Sequence, residues 1–373
     1  MSPSPPETGA LFPPRRRRTR AVHVGAVGVG GQHRVSVQTM TKTDTRDVET
    51  TLAQVREVAE LGCDIVRLAV PDDAAAAALE RLVDEAPIPV IADIHFRHEL
   101  ALRALAAGVH GLRINPGNIG GEDNVRAVVE AARERLVPIR IGVNAGSLET
   151  DIAARYGRTA QALVESAMRH VAWLEAEDYR QIKISVKASQ VERTIEAYRL
   201  LSERTDYPLH VGVTEAGTLL NGTVRSSVAL GLLLAEGIGD TIRVSLTDTP
   251  AAEVKVGLEI LRSLGMREAG PGVISCPTCG RVQVDVVGAA QRVEFELERY
   301  YRAHPDAPRP VVAVMGCMVN GPGEAREADI AIAGGAGKFA LYRHGEFEAT
   351  VRESEAVDAI LQRVRDWPAA SDA

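Results

Sequence analysis

Three of the four cysteines lie close together near the end of the chain, in two motifs that could hold a metal or a cluster. The motifs are Cys276-Pro277-Thr278-Cys279-Gly280-Arg281 and Gly316-Cys317-Met318-Val319-Asn320-Gly321-Pro322-Gly323-Glu324. The C-x-x-C spacing places two sulfurs on one side of a tight turn. A Gly- and Pro-rich turn around Cys317 can bring a third thiolate to the same point. The two motifs therefore predict one shared site.

Three chemistries fit such a site. A disulfide within the C-x-x-C motif would leave Cys317 unpaired, and nothing in the chain indicates an oxidising compartment. Structural zinc needs a fourth Cys or His nearby; no second knuckle follows, but zinc stays open. An iron–sulfur cubane takes one protein ligand per iron, so three thiolates need a fourth donor or leave one iron open to substrate. Glu324, seven residues past Cys317, is the best-placed donor, and Asp285 and His344 are weaker candidates.

Both motifs resemble the cluster domain of the bacterial 4-hydroxy-3-methylbut-2-enyl diphosphate synthases, a family of the non-mevalonate isoprenoid pathway. In that family three cysteines and a glutamate hold a 4Fe-4S cluster. The resemblance implies the same role for Cys276, Cys279, Cys317 and Glu324.

Composition sets limits on the architecture and on the partners. A chain of 373 residues exceeds what one hydrophobic core usually organises, so we expect two domains. The formal net charge of -7 argues against general nucleic-acid binding. Because no apolar run approaches the length of a membrane span and no secretory signal is evident, we expect a cytoplasmic protein.

The region before the cysteines alternates short β-branched runs with amphipathic segments. The segments include 46–60 and 190–204, with apolar residues at helical spacing. The runs are 35–40, 63–70, 88–94, 111–115, 138–144, 182–188, 209–215 and 241–247. Eight β-α units predict a TIM barrel over 21–265. A doubly wound open sheet is the alternative, but it would favour a Gly-rich phosphate turn after its first strand.

The remaining segments are predicted from local composition. Residues 1–20 are rich in Pro, Ser and Arg and predict a disordered tail. Residues 27–31 predict a hairpin turn, and 266–272 predict a linker. Beyond it we expect an α+β cluster domain over 273–373. Its predicted elements are a helix near 285–303, strands at 310–315 and 328–333, an extended stretch at 338–350 and a helix at 354–366.

Polar side chains of one parity occur toward the ends of seven of the eight predicted barrel strands. Strand alternation sends one parity into the barrel, and TIM-barrel chemistry lies at the carboxyl ends of the strands. The residues are Arg67, Asp93, His95, Arg113, Asn115, Arg140, Asn144, Lys183, Ser185, Lys187, Glu215, Arg243 and Ser245. About five clustered cations in an acidic protein are costly unless an anion joins them, so a diphosphate is the natural ligand.

A purely structural interpretation stays open for some of these residues. The cations could pair with Asp93 and Glu215 and merely close the barrel. His95 could be a structural histidine rather than a ligand-binding one. Cys63 begins a strand within an apolar run, so we expect a buried thiol.

The resemblance to the synthase family extends over nearly all of residues 20–365. It includes Asp93-Ile94-His95-Phe96, Arg113-Ile114-Asn115-Pro116-Gly117-Asn118 and Thr214-Glu215-Ala216-Gly217. It implies that the diphosphate is contacted by Arg67, Arg113, Arg140, Asn144, Lys187 and Ser245. It also implies that His95 and Asn115 line the pocket and that Glu215 is the acid/base carboxylate. Thr39 is a departure, because the family commonly has Ser at that position.

Chain length predicts a head-to-tail homodimer. A helix after the eighth strand would end about 20 Å below the barrel mouth, at 1.5 Å per residue. A seven-residue linker reaches at most about 25 Å, which leaves little slack to bring the cluster to its own barrel. We therefore expect each cluster to cap the partner's barrel, as the family also does.

The resemblance implies a reductive dehydroxylation. The substrate 2-C-methyl-D-erythritol 2,4-cyclodiphosphate would be opened and would lose water with two electrons, giving 4-hydroxy-3-methylbut-2-enyl diphosphate. Ferredoxin or flavodoxin would be the electron donor. One alternative is a cluster-free barrel transferase with structural zinc, acting on a phosphorylated substrate as pteroate-type synthases do. The other is a non-enzymatic iron–sulfur carrier, which would have no use for a cationic mouth.

Overall fold

The computed structural model describes residues 16–115, 119–267, 272–318, 323 and 326–368. By its internal contacts the chain divides into two units, residues 1–267 and 268–373. In the part that the structure describes, none of the helices is both long and apolar enough to cross a membrane.

The first unit is a parallel eight-stranded barrel surrounded by helices. Its strands are β3 (Ser36–Met40), β4 (Ile65–Ala69), β5 (Val90–Asp93), β6 (Gly111–Ile114), β7 (Ile139–Asn144), β8 (Ile182–Lys187), β9 (His210–Val211) and β10 (Thr241–Ile242). The sheet has the order β8-β7-β6-β5-β4-β3-β10-β9, and a parallel bridge between Ile184 and Leu209 closes the ring. This closure confirms the TIM barrel and excludes the open sheet.

Each barrel strand leads into at least one helix, whose apolar face covers the outside of the sheet. The helices are α1 (Val48–Glu60), α2 (Asp73–Glu85), α3 (His98–Ala106), α4 (Glu122–Glu134), α5 (Thr150–Tyr156), α6 (Ala160–Ala176), α7 (Val191–Arg204), α8 (Leu219–Ala235) and α9 (Pro250–Ser263). Their buried Leu, Val and Ile side chains form one cluster with the outward side chains of the strands, such as Val66 and Leu68. The inner parity of each strand is left for the barrel interior.

Two sequence predictions about the ends of strands need correction. The last two barrel strands pair over two residues each, not over 209–215 and 241–247. Gly212 directly follows β9, and a Cβ there would lie 2.3 Å from the carbonyl oxygen of Arg243, so the backbone approaches too closely for any side chain. The predicted hairpin exists, as β1 (Ala21–Val24) and β2 (Val27–Gly30), but its turn lies at Gly25, with φ +56°, and not at 27–31.

The hairpin covers the amino-terminal end of the barrel. Val22, Val24 and Val29 are fully buried. They pack against Ile65, the first residue of β4, and Ile91, the second residue of β5. The opposite end, where the strands finish, therefore holds the open mouth.

Residues 16–20 do not behave as the disordered tail that the sequence predicts. The Arg16 guanidinium lies 2.7 Å from the buried carboxylate of Asp240, and Arg20 pairs with Asp206 at 2.8 Å. The backbone amide of Arg17 donates to the carbonyl of Gly237. These ion pairs and the backbone bond fix the segment to the barrel. Residues 1–15 lie outside the described part.

The second unit contains a five-stranded mixed sheet. Its described elements include β11 (Val273–Ser275), α10 (Val286–Ala303), β12 (Val312–Met315), β13 (Ile330–Gly335), β14 (Lys338–Arg343), β15 (Glu346–Arg352) and α11 (Ala356–Arg365). The strand order is β11-β12-β13-β14-β15; the first three strands are parallel, and β14 and β15 run antiparallel to their neighbours. The α+β class agrees with the sequence prediction. Strand β11 was not predicted, and 338–350 is a hairpin turning at His344 and Gly345, both with positive φ.

Candidate functional site

Four buried cations lie on the inner parity of neighbouring barrel strands. Arg67 on β4, Arg113 on β6, Arg140 on β7 and Lys187 on β8 are all less than 9% exposed. Strand register sets Arg113 beside Arg140, and Asp93 beside Arg113. The parity rule therefore brings these predicted residues together as expected.

Asp93 is the carboxylate at the centre of this group. Its oxygens lie 3.0 Å from Arg113 Nη1, 3.6 Å from Arg67 Nε and 3.5 Å from His95 Nε2, and His95 also contacts the Arg113 guanidinium. Burial alone would raise the pKa of Asp93, but the Arg67, His95 and Arg113 side chains outweigh it and hold that pKa well below its usual range. Asp93 is therefore an anion that organises two arginines.

A second buried carboxylate, Glu253 on α9, was missed by the sequence analysis. It is 2% exposed, accepts hydrogen bonds from Thr39 Oγ1 at 2.7 Å and the Leu246 amide at 3.0 Å, and lies 3.8 Å from Arg243. Lys42 is 3.3 Å away. One sequence signal could have indicated that Glu253 is buried, because it stands next to Val254 on the apolar face of α9. Of the two counterions that the sequence offered, Asp93 has this role, whereas Glu215 is exposed.

The buried environment of these cations disfavours their charged forms. Burial lowers the pKa of Arg67 to about 9, against the attraction of Asp93. Burial, followed by repulsion from neighbouring cations, lowers the pKa of Arg140 and of Lys187 well below their ordinary values. Five cations, with Arg243, surround two buried carboxylates, so an anion entering the mouth would relieve repulsion among them.

Two glycines make room for the cations because they have no side chain. A Cβ at Gly142 would lie 2.9 Å from Arg113 Nε, and one at Gly212 would lie 2.9 Å from Lys187 Nζ. Within the described residues, the Nε atoms of Arg113, Arg140 and Arg243 are buried without a hydrogen-bond partner. Unsatisfied buried donors are costly. Three such donors within one cluster of cations fit a polyanionic ligand.

The other predicted mouth residues lie at the ends of barrel strands or in the loops just beyond them. Asn115 is buried directly after β6, Asn144 ends β7, and Ser245 is half-buried after β10. Glu215 is exposed in the loop after β9 with φ +53°, and Phe96, next to His95, has φ +66°. Left-handed backbone at non-glycine residues is strained and concentrates at functional sites.

A second polar layer lies in the barrel beside the cations. Arg140 donates to Ser185 Oγ at 2.9 Å, and Lys183 stands next to Arg140 in the strand register. Among the described residues Lys183 Nζ, both ring nitrogens of His210 and both amide atoms of Gln38 are buried without hydrogen-bond partners. The sequence analysis found Lys183 and Ser185 but missed His210 and Gln38.

The cysteines of the second unit are thiols at the end of its parallel strands. Cys276 comes directly after β11, and Cys317 is separated from the end of β12 by Gly316 alone. The backbone amide of Gly316 donates to Cys276 Sγ at 3.2 Å. Thr278, between Cys276 and Cys279, has φ +62°. The structure describes all four cysteines, and all four are free thiols. Cys63, as predicted, is a buried thiol of the barrel, and burial raises its pKa to about 12.

Part of the predicted cluster site is not described. Glu324 lies outside the described residues. Within those residues, no three His, Cys, Asp or Glu side chains stand close enough together to hold a metal ion. Of the weaker fourth donors, Asp285 caps α10 by accepting from the Gly288 amide, and His344 Nδ1 lies 3.6 Å from Asp329. The three thiols still match an iron–sulfur cluster, because thiolates are its usual ligands and the Gly316 amide already bonds one sulfur.

Comparison with known proteins places the chain in a family. The family model described as GcpE TIM-barrel domain matches residues 19–258, and that described as GcpE protein C-terminal domain matches 272–366. A 4-hydroxy-3-methylbut-2-en-1-yl diphosphate synthase (flavodoxin) of Geobacter sulfurreducens is 57% identical over 94% of this chain and 98% of its own. The protein of that name from Clostridium perfringens is 53% identical over 93% and 98%.

A solved dihydropteroate synthase from Yersinia pestis is 13% identical, with a TM-score of 0.48 over 66% of this chain and 97% of that one. Membership rests on the family models and the sequence relatives, which span both units. The chain belongs to the GcpE family.

Proposed function

We propose that this protein converts 2-C-methyl-D-erythritol 2,4-cyclodiphosphate to 4-hydroxy-3-methylbut-2-enyl diphosphate by reductive dehydroxylation. One observation carries the proposal: the cation cluster with unsatisfied guanidinium donors at the barrel mouth, in a chain 57% identical to a synthase of that name. A cyclic diphosphate is a compact polyanion that matches such a cluster.

The barrel residues would bind the substrate and stabilise its leaving group. Arg67, Arg113, Arg140, Lys187 and Arg243 would surround the diphosphate oxygens, and the charge on the departing diphosphate oxygen would grow as the ring opens. Asp93 would keep two of the guanidinium groups in place. His95, Asn115, Asn144 and Ser245 would complete the pocket wall.

Glu215 would manage the proton of the departing hydroxyl. It stands in the loop beyond β9, at a strained backbone position, and its side chain is exposed. A general acid has to be within hydrogen-bond reach of the group that leaves. Its position in the rim, rather than in the buried ion network, suits a group that exchanges protons with substrate.

Cys276, Cys279, Cys317 and Glu324 would hold a 4Fe-4S cluster. When bound, the cluster would supply two electrons and a Lewis-acid iron for the departing oxygen. The Gly316 amide would lower the charge on the Cys276 sulfur. We place the protein in the cytoplasm, where its four thiols stay reduced. Flavodoxin, which the relatives' name includes, or ferredoxin would be the electron donor. The homodimer predicted from linker length belongs to this proposal.

Metal and sulfide content of protein purified without oxygen tests the proposal against the zinc alternative. We expect about four irons and four sulfides per chain, with broad absorption near 400 nm. Alanine at Cys276 should lower the iron content, whereas alanine at Cys63 is the matched control and should leave it unchanged. One zinc per chain and no colour would overturn the reductive chemistry and favour a barrel transferase.

A further inference from the structure

Lys183 is a buried lysine beside one of the cations of the mouth. It lies on β8 and is 1% exposed, and among the described residues its Nζ has no hydrogen-bond partner. The strand register sets it directly beside Arg140 on β7. Arg140 donates to Ser185, the next residue of the same parity on β8. Because the barrel strands run toward the mouth, Lys183 lies deeper in the barrel than Lys187 on the same strand.

The groups that face Lys183 from the neighbouring strands carry no negative charge. Arg140 faces it from β7, and His210, which is fully buried, faces it from β9. Burial, followed by repulsion from Lys187, Arg140 and Lys183, holds the pKa of His210 well below its ordinary value, so its ring is neutral. A buried amine among cations and neutral groups binds its proton weakly.

Asp240 is the carboxylate that attracts Lys183, and other groups already neutralise it. Its oxygens lie 2.7 Å from the Arg16 guanidinium and accept from the backbone amide of Leu209 at 2.8 Å. Its attraction for Lys183 is therefore weak. Burial and then repulsion from Arg140 outweigh it and lower the pKa of Lys183 to about 7.

An anion at the mouth would reverse the balance at Lys183. The proposed diphosphate carries two negative charges, and Arg140 is one of the residues that would bind it. Once Arg140 has an anionic partner, its repulsion of Lys183 is offset, and the anion itself attracts the ammonium from above. Both effects favour the protonated form of Lys183. In the empty barrel, by contrast, the same proton would add a costly unpaired charge.

We propose that Lys183 couples the binding of a diphosphate at the mouth to the uptake of one proton inside the barrel. A proton from solvent adds to the lone pair of the Lys183 amine when the ligand binds, and it returns to solvent when the ligand leaves. Lys183 acts through Arg140 and touches no ligand, so it is a positioning residue. The identity of the ligand rests on the proposed function.

The coupling fixes how affinity depends on pH. Below pH 7 Lys183 carries its proton with and without ligand, so binding takes up none. Above pH 7 the free amine is neutral, and each pH unit lowers the affinity up to about tenfold until the pKa of the bound state is reached. Between pH 7 and 9 the wild-type dissociation constant should therefore rise at least about tenfold more than that of a Lys183→Met variant, which has no proton to gain.

Isothermal titration calorimetry on the full-length protein, purified without oxygen, counts the proton. Without a reductant there is no turnover, so the cyclodiphosphate binds unchanged. Heats measured in buffers of different ionisation enthalpy give the number of protons taken up. At pH 8 the wild type should take up at least about 0.5 proton more per ligand than Lys183→Met, and at pH 6 the difference should fall below about 0.2.

Two controls separate this effect from folding and from other titrating groups. Lys255→Met removes an exposed lysine of α9 and should keep the wild-type affinity and proton uptake. Circular dichroism checks that Lys183→Met has the wild-type fold. Inorganic pyrophosphate is a second probe: its own change in protonation is common to both proteins, so the difference between them isolates Lys183.

Three results would overturn the coupling. They are equal proton uptake by the wild type and Lys183→Met, dissociation constants that change in parallel with pH, and wild-type uptake that does not increase from pH 6 to pH 8. The last result needs no variant.

Failure of the proposed function gives a different pattern. A protein that ignores the cyclodiphosphate but binds pyrophosphate with a Lys183-dependent proton would refute the proposed substrate and leave the coupling standing. A protein that turns over the cyclodiphosphate, but binds it with the same proton uptake in both forms, would do the reverse.

Discussion

Replacing Lys183 by Met should stabilise the barrel at neutral pH. The Lys183 ammonium is fully buried, its Nζ has no hydrogen-bond partner among the described residues, and Arg140 lies beside it. Burial, then repulsion from Arg140, lowers the pKa of Lys183 to about 7 from 10.5, with weak opposition from Asp240. Methionine has a similar shape and no charge to bury.

Proton linkage gives the size of this stabilisation and its dependence on pH. The folded pKa lies below the unfolded one, so the unfolded chain binds the extra proton between pH 7 and 10.5. The lysine therefore costs stability that is largest at and below pH 7 and fades as pH rises. At 1.36 kcal/mol per pKa unit, the gain on substitution is about 4 kcal/mol at pH 7 and about 2 kcal/mol at pH 9, as upper values.

Urea unfolding at both pH values measures this gain. Trp173 is in the barrel unit and Trp367 in the other, so a Trp367→Phe background lets tryptophan fluorescence report on the barrel alone. Lys255→Met, at an exposed position of α9, is the matched control and should change the free energy of unfolding by less than about 0.5 kcal/mol. A Lys183→Met barrel that is less stable than wild type, or a difference that stays the same from pH 7 to 9, would refute the reasoning.

Three further predictions concern the mouth. Asp93→Asn should lower the free energy of unfolding by about 3 kcal/mol in urea, because two buried guanidiniums lose their counterion; a loss below about 1 kcal/mol would contradict the network. Arg140→Ala should raise the dissociation constant for the cyclodiphosphate in calorimetry, and unchanged binding would remove Arg140 from the diphosphate site. Glu215→Gln should keep iron content and substrate affinity but lose turnover, and wild-type turnover would end its proposed role.

Local patterns were enough to predict the barrel. Its strands are buried on both faces and therefore occur as continuous β-branched runs, and helices with one apolar face separate them. Alternation along each strand depends only on local geometry, which is why Arg67, Arg113 and Arg140 could be assigned to one interior. Cys276 and Cys317 were found because their motifs have strict spacing.

The features that were missed depend on tertiary contacts. Glu253 reaches Arg243 and Thr39 only because the barrel closes and sets α9 against β3. The close approach of Gly212 to the backbone of Arg243 also exists only in the folded barrel. Arg16 is ordered by Asp240, more than 200 residues away in the chain. No periodicity in the sequence encodes such pairings, so a Pro- and Arg-rich segment looked disordered.

The proposed reaction can be measured directly as turnover of 2-C-methyl-D-erythritol 2,4-cyclodiphosphate. Protein purified without oxygen and carrying its iron and sulfide would be mixed with reduced flavodoxin and the cyclodiphosphate, and the products would be identified by mass spectrometry. We expect 4-hydroxy-3-methylbut-2-enyl diphosphate, formed with two electrons per molecule and absent when Cys317 is replaced by alanine. Protein with a full cluster that binds the cyclodiphosphate and returns it unchanged would refute the proposed reaction.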